Sequence, residues 1–234
     1  MGLVSAVVFI AVLLGAVAYF RMQQRVRSIK LFASLNKLVL MGSDWDLGDC
    51  GFGLFNEGNR RYWRNIMRGA WGGLPVTYCD FTYVVNEGRS ENTFSFSNVI
   101  AVLGMPIPSV TVSPRGVIGA FAERTVGAPG IRFESIEFND RFDVHSDDES
   151  FAVELIDAQM IETLLSLDHG YHVVFGPEYL MVYARRRPVE ELRLLFDATV
   201  LVSRRIPNIV RERFNLQRPA QEETAPQQPT SPPG

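Results

Sequence analysis

Lysine and cysteine are scarce in this sequence. Lys30 and Lys37 are the only lysines, and apart from three histidines every other basic side chain is arginine. The two cysteines, Cys50 and Cys79, form no C-x-x-C and no metal-spaced set, which excludes a disulfide framework and a zinc ribbon. So few thiols suit a reducing compartment. A large charge of either sign is missing too. The formal net charge of −3 argues against nucleic acid as the main partner. The motifs G-x-x-x-x-G-K-[ST], G-x-S-x-G, H-E-x-x-H and G-x-G-x-x-G do not occur, so the chemistries they carry have no support here. No catalytic residue, cofactor ligand or metal ligand is assigned from the sequence.

One further absence organises the chain. Gly2 to Phe20, GLVSAVVFIAVLLGAVAYF, has no charge and no proline. At 1.5 Å per helical residue it nearly matches a hydrocarbon core of ~30 Å. A helix there satisfies its own backbone groups, which lipid cannot do. Arg21, Arg25, Arg27 and Lys30 follow at once. Ala16-Val17-Ala18 has the A-x-A form of a signal-peptide cleavage site, but the segment lacks a basic n-region and its apolar run is long for an h-region. The reading is a retained, single-pass anchor. The basic flank places the following domain on the cytoplasmic side of the cell membrane.

The rest divides by pattern. Residues 1–20 are the transmembrane anchor and 21–41 a juxtamembrane helix, with Val26, Ile29, Phe32 or Ala33, and Asn36 along one side. Residues 42–217 are expected to form one α+β domain, an antiparallel sheet of about six to eight strands with helices packed on it. Residues 218–234, rich in proline and glutamine, are a disordered tail.

Within the domain, VTYCDFTYVV (Val76 to Val85) predicts a strand with Cys79, Phe81, Tyr83 and Val85 on its apolar face and Tyr78, Asp80 and Thr82 on the other. The stretch from Trp63 to Trp71, closed by Gly72-Gly73, reads as the strand before it. Thr93 to Leu103 and Val110 to Val112 read as later strands. Ile131 to Val144 also reads as extended, with a bulge where its parity switches. Ser146-Asp147-Asp148-Glu149 has the form of a capping box, and Asp157 caps a second helix striped by Met160, Ile161, Leu164 and Leu165. Gly176-Pro177-Glu178 marks a hairpin between Tyr171–Phe175 and Tyr179–Ala184. A helix with Val189, Leu192, Phe196 and Val200 on one face follows, and Pro207 ends or soon follows it.

Few groups of side chains invite chemistry. Asp143, His145 and Asp147 alternate at a strand end, as metal ligands or an acid/base set would. Carboxylates beside a helix start already have a capping role there, however. His169 and His172 read as solvated loop histidines. Arg185-Arg186-Arg187 would suit a phosphate or an acidic partner, and equally a charged sheet edge or a solvated turn. Asp44, Asp46 and Asp49 lack the order of an EF-hand loop.

Three phrases carry a resemblance: RRYWRNIMRGAWGGLPVTYCDFTYVV, IRFESIEFNDRFDVHSDDESFAVELI and PVEELRLLFDATVLVSRRIP. In this order they resemble an uncharacterised family of bacterial, mainly actinobacterial, membrane-anchored proteins, a domain of unknown function. The resemblance spans roughly Arg60 to Pro207 and implies a domain behind hydrophobic N-terminal spans. It implies no site residue. The functional reading is a membrane-tethered cytoplasmic interaction or scaffolding domain without catalysis and without a cofactor. Its partners are the membrane and an unidentified protein. The alternative is a membrane-bound hydrolase with a site near Asp143 and His145.

Overall fold

The computed structural model describes residues 2–41, 51–88, 90–104, 106–116 and 130–214. Helix α1 (Gly2–Leu35) opens the chain as one continuous rod. It stops where Lys37 turns left-handed (φ 56°). There the Leu38 N–H reaches back to the Ala33 carbonyl at 2.9 Å, closing a Schellman-type cap with buried Leu38 as its apolar plug. Strand β1 (Val39–Leu40) follows, then β2 (Arg60–Trp71) and β3 (Leu74–Glu87). Gly72 and Gly73 join the last two with φ of 54° and 82°, the positive values that a two-residue hairpin turn requires.

The chain continues through β4 (Ser90–Val102), β5 (Val110–Pro114), α2 (Ile136–Arg141), β6 (Phe142–Ser146), α3 (Glu149–Leu155) and α4 (Ala158–Ser166). The hairpin β7 (His172–Gly176) and β8 (Tyr179–Arg185), then α5 (Leu192–Arg205) and α6 (Asn208–Phe214), complete the fold. One antiparallel sheet orders its eight strands β1-β2-β3-β4-β8-β7-β5-β6. The expected α+β class and strand number therefore hold.

Both faces of the sheet are covered. On one, α5 lays Leu192, Leu195, Phe196 and Val202 over Tyr78, Val99 and Val182, beside Ile29 and Ala33 of α1. Phe196 sits 5.9 Å from Tyr78, 4.7 Å from Trp71 and 5.7 Å from Phe32, ring centre to ring centre, so one aromatic cluster ties α1, β2, β3 and α5 together. On the opposite face, Phe52, Leu54 and Phe55 cap Ile66, Cys79, Phe81, Tyr83 and Met181. The expected apolar parity of β3 is confirmed for Cys79, Phe81 and Tyr83. Its other face, which the sequence did not read as apolar, is buried under α1 and α5: Tyr78 and Asp80 have 0% and 1% of their surface exposed. A helix contributed from outside the strand's own neighbourhood covers it, which strand periodicity cannot register.

Other elements also depart from expectation. Residues 131–144 are not one bulged strand. Ile131 makes a single bridge to Val144, and the Ser135 hydroxyl accepts the Phe138 N–H to start α2. The parity switch is a helical turn that buries Phe138. Asp148, not Ser146, caps α3, while Asp157 caps α4 as read. A membrane-spanning helix was expected over residues 1–20. The structure gives a helix there, but among the described residues no helix is long and apolar enough to cross a membrane. Asp44, Asp46, Asp49 and Cys50 and the expected 218–234 tail lie outside the described residues.

Candidate functional site

The most polar place inside the fold is where α1 crosses β3. Asp80 stands mid-strand on the face that α1 covers. The Arg25 guanidinium donates to both of its oxygens, Nη2 to Oδ1 at 2.7 Å and Nε to Oδ2 at 2.8 Å. Such a two-pronged pair is stronger and more directional than a single ionic contact. The Tyr78 hydroxyl donates to Asp80 Oδ1 at 2.7 Å, and Asn65 Nδ2 donates to Oδ2 at 2.8 Å. Arg25 Nη1 donates to the Arg187 carbonyl at 2.7 Å, and the Arg187 N–H donates to the Ser97 hydroxyl at 3.1 Å. Residues from α1, β2, β3, β4 and the segment after β8 thus meet around one carboxylate.

Local backbone chemistry puts Asn65 there. The β2–β3 register shifts between Arg64 and Met67, and Asn65 adopts φ 53°. Asparagine tolerates this left-handed conformation better than most residues. The bulge bends β2 and turns the amide toward Asp80. Burial by itself would raise the Asp80 pKa. The hydrogen bonds and charge of Arg25, with Asn65 and Tyr78, outweigh it and hold the carboxyl below its ordinary range. Burial likewise works against the Arg25 charge, yet Asp80 raises the arginine's pKa overall. Burial, reinforced by Asp80, pushes the Tyr78 phenol well above its usual value. The carboxylate stays ionised, the phenol stays neutral and every oxygen has a donor. Such a node clamps a helix to a sheet; it holds no base free to take a proton.

Beside the clamp a cavity of about 480 Å³ opens between α1 and the bulge. Arg21, Arg64 and Arg186 line it with Arg25, and Asp80 is the one carboxylate among its lining residues. Arg186 donates to the Thr82 hydroxyl at 2.8 Å, and Arg64 donates to the Met22 sulfur at 3.6 Å and lies 5.9 Å from the Tyr62 ring centre. Among the described residues none of these three arginines pairs with a carboxylate. Leu14 and Val17 form the cavity's apolar end. A second cavity, about 360 Å³, shares Val26, Arg64 and Asn65 with it and includes Trp63, whose indole N–H has no hydrogen-bond partner among the described residues.

A larger cavity of about 810 Å³ lies between the β2–β3 turn and α5. Its charges largely neutralise one another. Asp197 accepts the Trp71 indole N–H at 2.7 Å and lies 3.6 Å from Arg193, and Asp168 lies 2.9 Å from Arg187. The arginine-lined cavity and the smaller one beside it, lined by Lys30 and Arg64, are left with unbalanced positive charge.

The candidate residues read from sequence do not converge. Asp143 and His145 sit on β6, at the sheet's far edge, opposite Ser113 and Thr111 of β5. Neither belongs to the three cavities above, and among the described residues no group of three or more histidine, cysteine or acidic side chains could hold a metal. His172 is not a solvated loop histidine. It opens β7, stacks on Tyr183 at 4.4 Å and meets the Ser113 hydroxyl at 3.1 Å through Nδ1. Burial, with help from the Arg185 charge, lowers its pKa to about 4. The three arginines at 185–187 go separate ways. Arg185 lies over the rings of Phe94 and Phe96, Arg186 enters the cavity wall, and Arg187 joins the clamp through its backbone. β8, which ends at Arg185, is interior to the sheet rather than an edge. The signal for the clamp was an aspartate in the middle of an aromatic, β-branched strand.

No family model matches the chain, and no curated protein matches it. Among solved structures the chain is similar to the mycobacterial trehalose monomycolate transport factor A, TtfA, at 12% identity and a TM-score of 0.58, over 78% of this chain and 96% of that one. At that identity the likeness is one of fold.

Proposed function

We propose that the chain is a non-catalytic, membrane-tethered module that supports a transport process at the cell envelope. Its sheet domain would face the cytoplasm and bind a membrane protein partner. The observation that carries this reading is the division of α1 at Arg21. Beyond it, Arg25, Ile29 and Ala33 lock the helix to the sheet. Before it, Phe9, Ile10, Leu13, Leu14 and Phe20 expose 53–68% of their surface, which in water is an unfavourable arrangement for large apolar side chains. Counted from the sequence, the uncharged run covers 19 residues, Gly2 to Phe20. A bilayer would bury it, and the clamp would then hold the domain at a fixed angle to the surface. The likeness in fold to a transport factor supports the class of role, as does the resemblance to membrane-anchored bacterial proteins. The arginines and lysine after the span favour the cytoplasmic side.

The test is fractionation of cells that express the full chain, with a carbonate wash, and protease treatment of intact cells. The expected result is a chain that stays with membranes after the wash and a domain that protease spares. A chain released by carbonate removes the tether, and a domain cut on intact cells reverses its side. Cross-linking in the same membranes should trap an integral membrane protein; a chain that cross-links to nothing weighs against the module reading.

A further inference from the structure

We infer that the arginine-lined cavity between α1 and β2 is a binding site for the phosphate headgroup of an anionic glycerophospholipid. The inference rests on the tether proposed above and deepens it. Three features of the cavity point the same way. The first is charge: Arg21, Arg64 and Arg186 face it, and its one carboxylate, Asp80, is already held by Arg25, Tyr78 and Asn65. Cations so placed attract a phosphate, and arginine is the side chain best shaped to grip one.

The second feature is the order of groups along the helix. Leu14 and Val17 sit at the same cavity, seven and four residues before Arg21, or ~10 and ~6 Å along the axis. A ligand following the wall would pass from apolar contact to cationic contact over about the distance between a lipid's upper acyl chain and its phosphate. Free phosphate would make no use of the apolar end. The third feature is donor surplus. The adjoining cavity adds Lys30 to Arg64, with no carboxylate among the described residues that line it, so the seam presents more cationic donors than acceptors. The Asn65 bulge is what opens the seam, because it bends β2 beside α1.

The experiment uses the full chain in an uncharged detergent, so it does not depend on membrane insertion. Thermal shift is followed as short-chain phosphatidylglycerol, phosphatidylcholine or glycerol phosphate is added. Phosphatidylglycerol is expected to raise the melting temperature saturably, because a ligand that binds the native state must stabilise it. Phosphatidylcholine should do so at ten times the concentration or more, and glycerol phosphate only weakly. Arg21→Gln and Arg64→Gln, both exposed residues, should each weaken the phosphatidylglycerol response about tenfold, the scale of one charge-assisted hydrogen bond. Arg193→Gln, on α5, should not. Equal responses to the two lipids, or unchanged responses in the Arg21 and Arg64 variants, overturn the site. A glycerol phosphate response as strong as that of phosphatidylglycerol overturns its assignment to lipid. Failure of the tether would appear separately, in the carbonate wash.

Discussion

Arg25 and Asp80, 55 residues apart, meet through two bonds of 2.7 and 2.8 Å at the crossing of α1 and β3. The carboxylate is almost wholly enclosed and the guanidinium side chain is 16% exposed. Removing either partner strands the other's charge. Asp80→Asn should therefore destabilise the domain by about 3 kcal/mol, the lower end for breaking a buried pair, since Arg25 keeps the Arg187 carbonyl and some access to water. Urea denaturation of Asp80→Asn, Arg25→Met and the double variant forms the cycle. A coupling energy below ~0.5 kcal/mol, the range of independent sites, would show that the clamp is incidental.

Phe81 lies on the opposite face, with 0% of its surface exposed. Its ring centre is 5.0 Å from Phe55 and 5.2 Å from Trp63. Phe81→Ala should cost ~3–5 kcal/mol, because the surrounding rings cannot close over the gap. A loss within the ~0.5 kcal/mol of an ordinary surface change would place this face outside the core.

These two residues mark how far the sequence could be read. Phe81 was legible because a strand's period of two is local, and Cys79 and Tyr83 repeat its parity. The same logic placed Asp80 off the apolar face and gave no sign of its burial. Its burial depends on a helix that starts its crossing 55 residues earlier, and no local period encodes that meeting. Asn65 was silent, since a left-handed asparagine inside a strand looks like any polar residue. Ser135 was hidden inside a run of alternating apolar residues. Asp157 was plain, because a cap and its apolar stripe lie within one helix. The candidate site is thus assembled from long-range contacts, whereas the readable elements were closed by near ones.

His172 gives a pH dependence. Its folded pKa is lowered to about 4 by burial and by Arg185, while an unfolded histidine titrates near 6.5. Between those values the unfolded chain binds more protons than the native one. This contribution to stability is therefore complete above pH ~6.5 and is lost as the pH falls toward 4. His172→Phe keeps the stacking on Tyr183 and removes the titration. Urea midpoints measured from pH 7.5 to 4.5 should fall less steeply for the variant than for the wild type. Parallel curves would mean that His172 titrates as it does in water.

The two halves of α1 can be separated by where the chain is cut. A version that starts at Arg21 keeps Arg25, Ile29 and Ala33, hence every buried contact described above between α1 and the sheet. It discards Phe9, Ile10, Leu13, Leu14 and Phe20, which are mostly exposed and so give the folded domain little packing in water. Its stability should change by no more than ~0.5 kcal/mol. A version that starts at Val26 loses Arg25 as well, which leaves Asp80 buried without its countercharge. At about 3 kcal/mol, and 2–4 °C per kcal/mol for a domain of this size, its melting temperature should drop by ~6–12 °C. Both versions should leave the membrane fraction. The contrast between them isolates the two roles, because five residues separate a chain that is merely untethered from one that is also unclamped. If the Arg21 version melts as early as the Val26 version, the apolar half is packing against the domain, and its exposed face then belongs to the fold rather than to a bilayer.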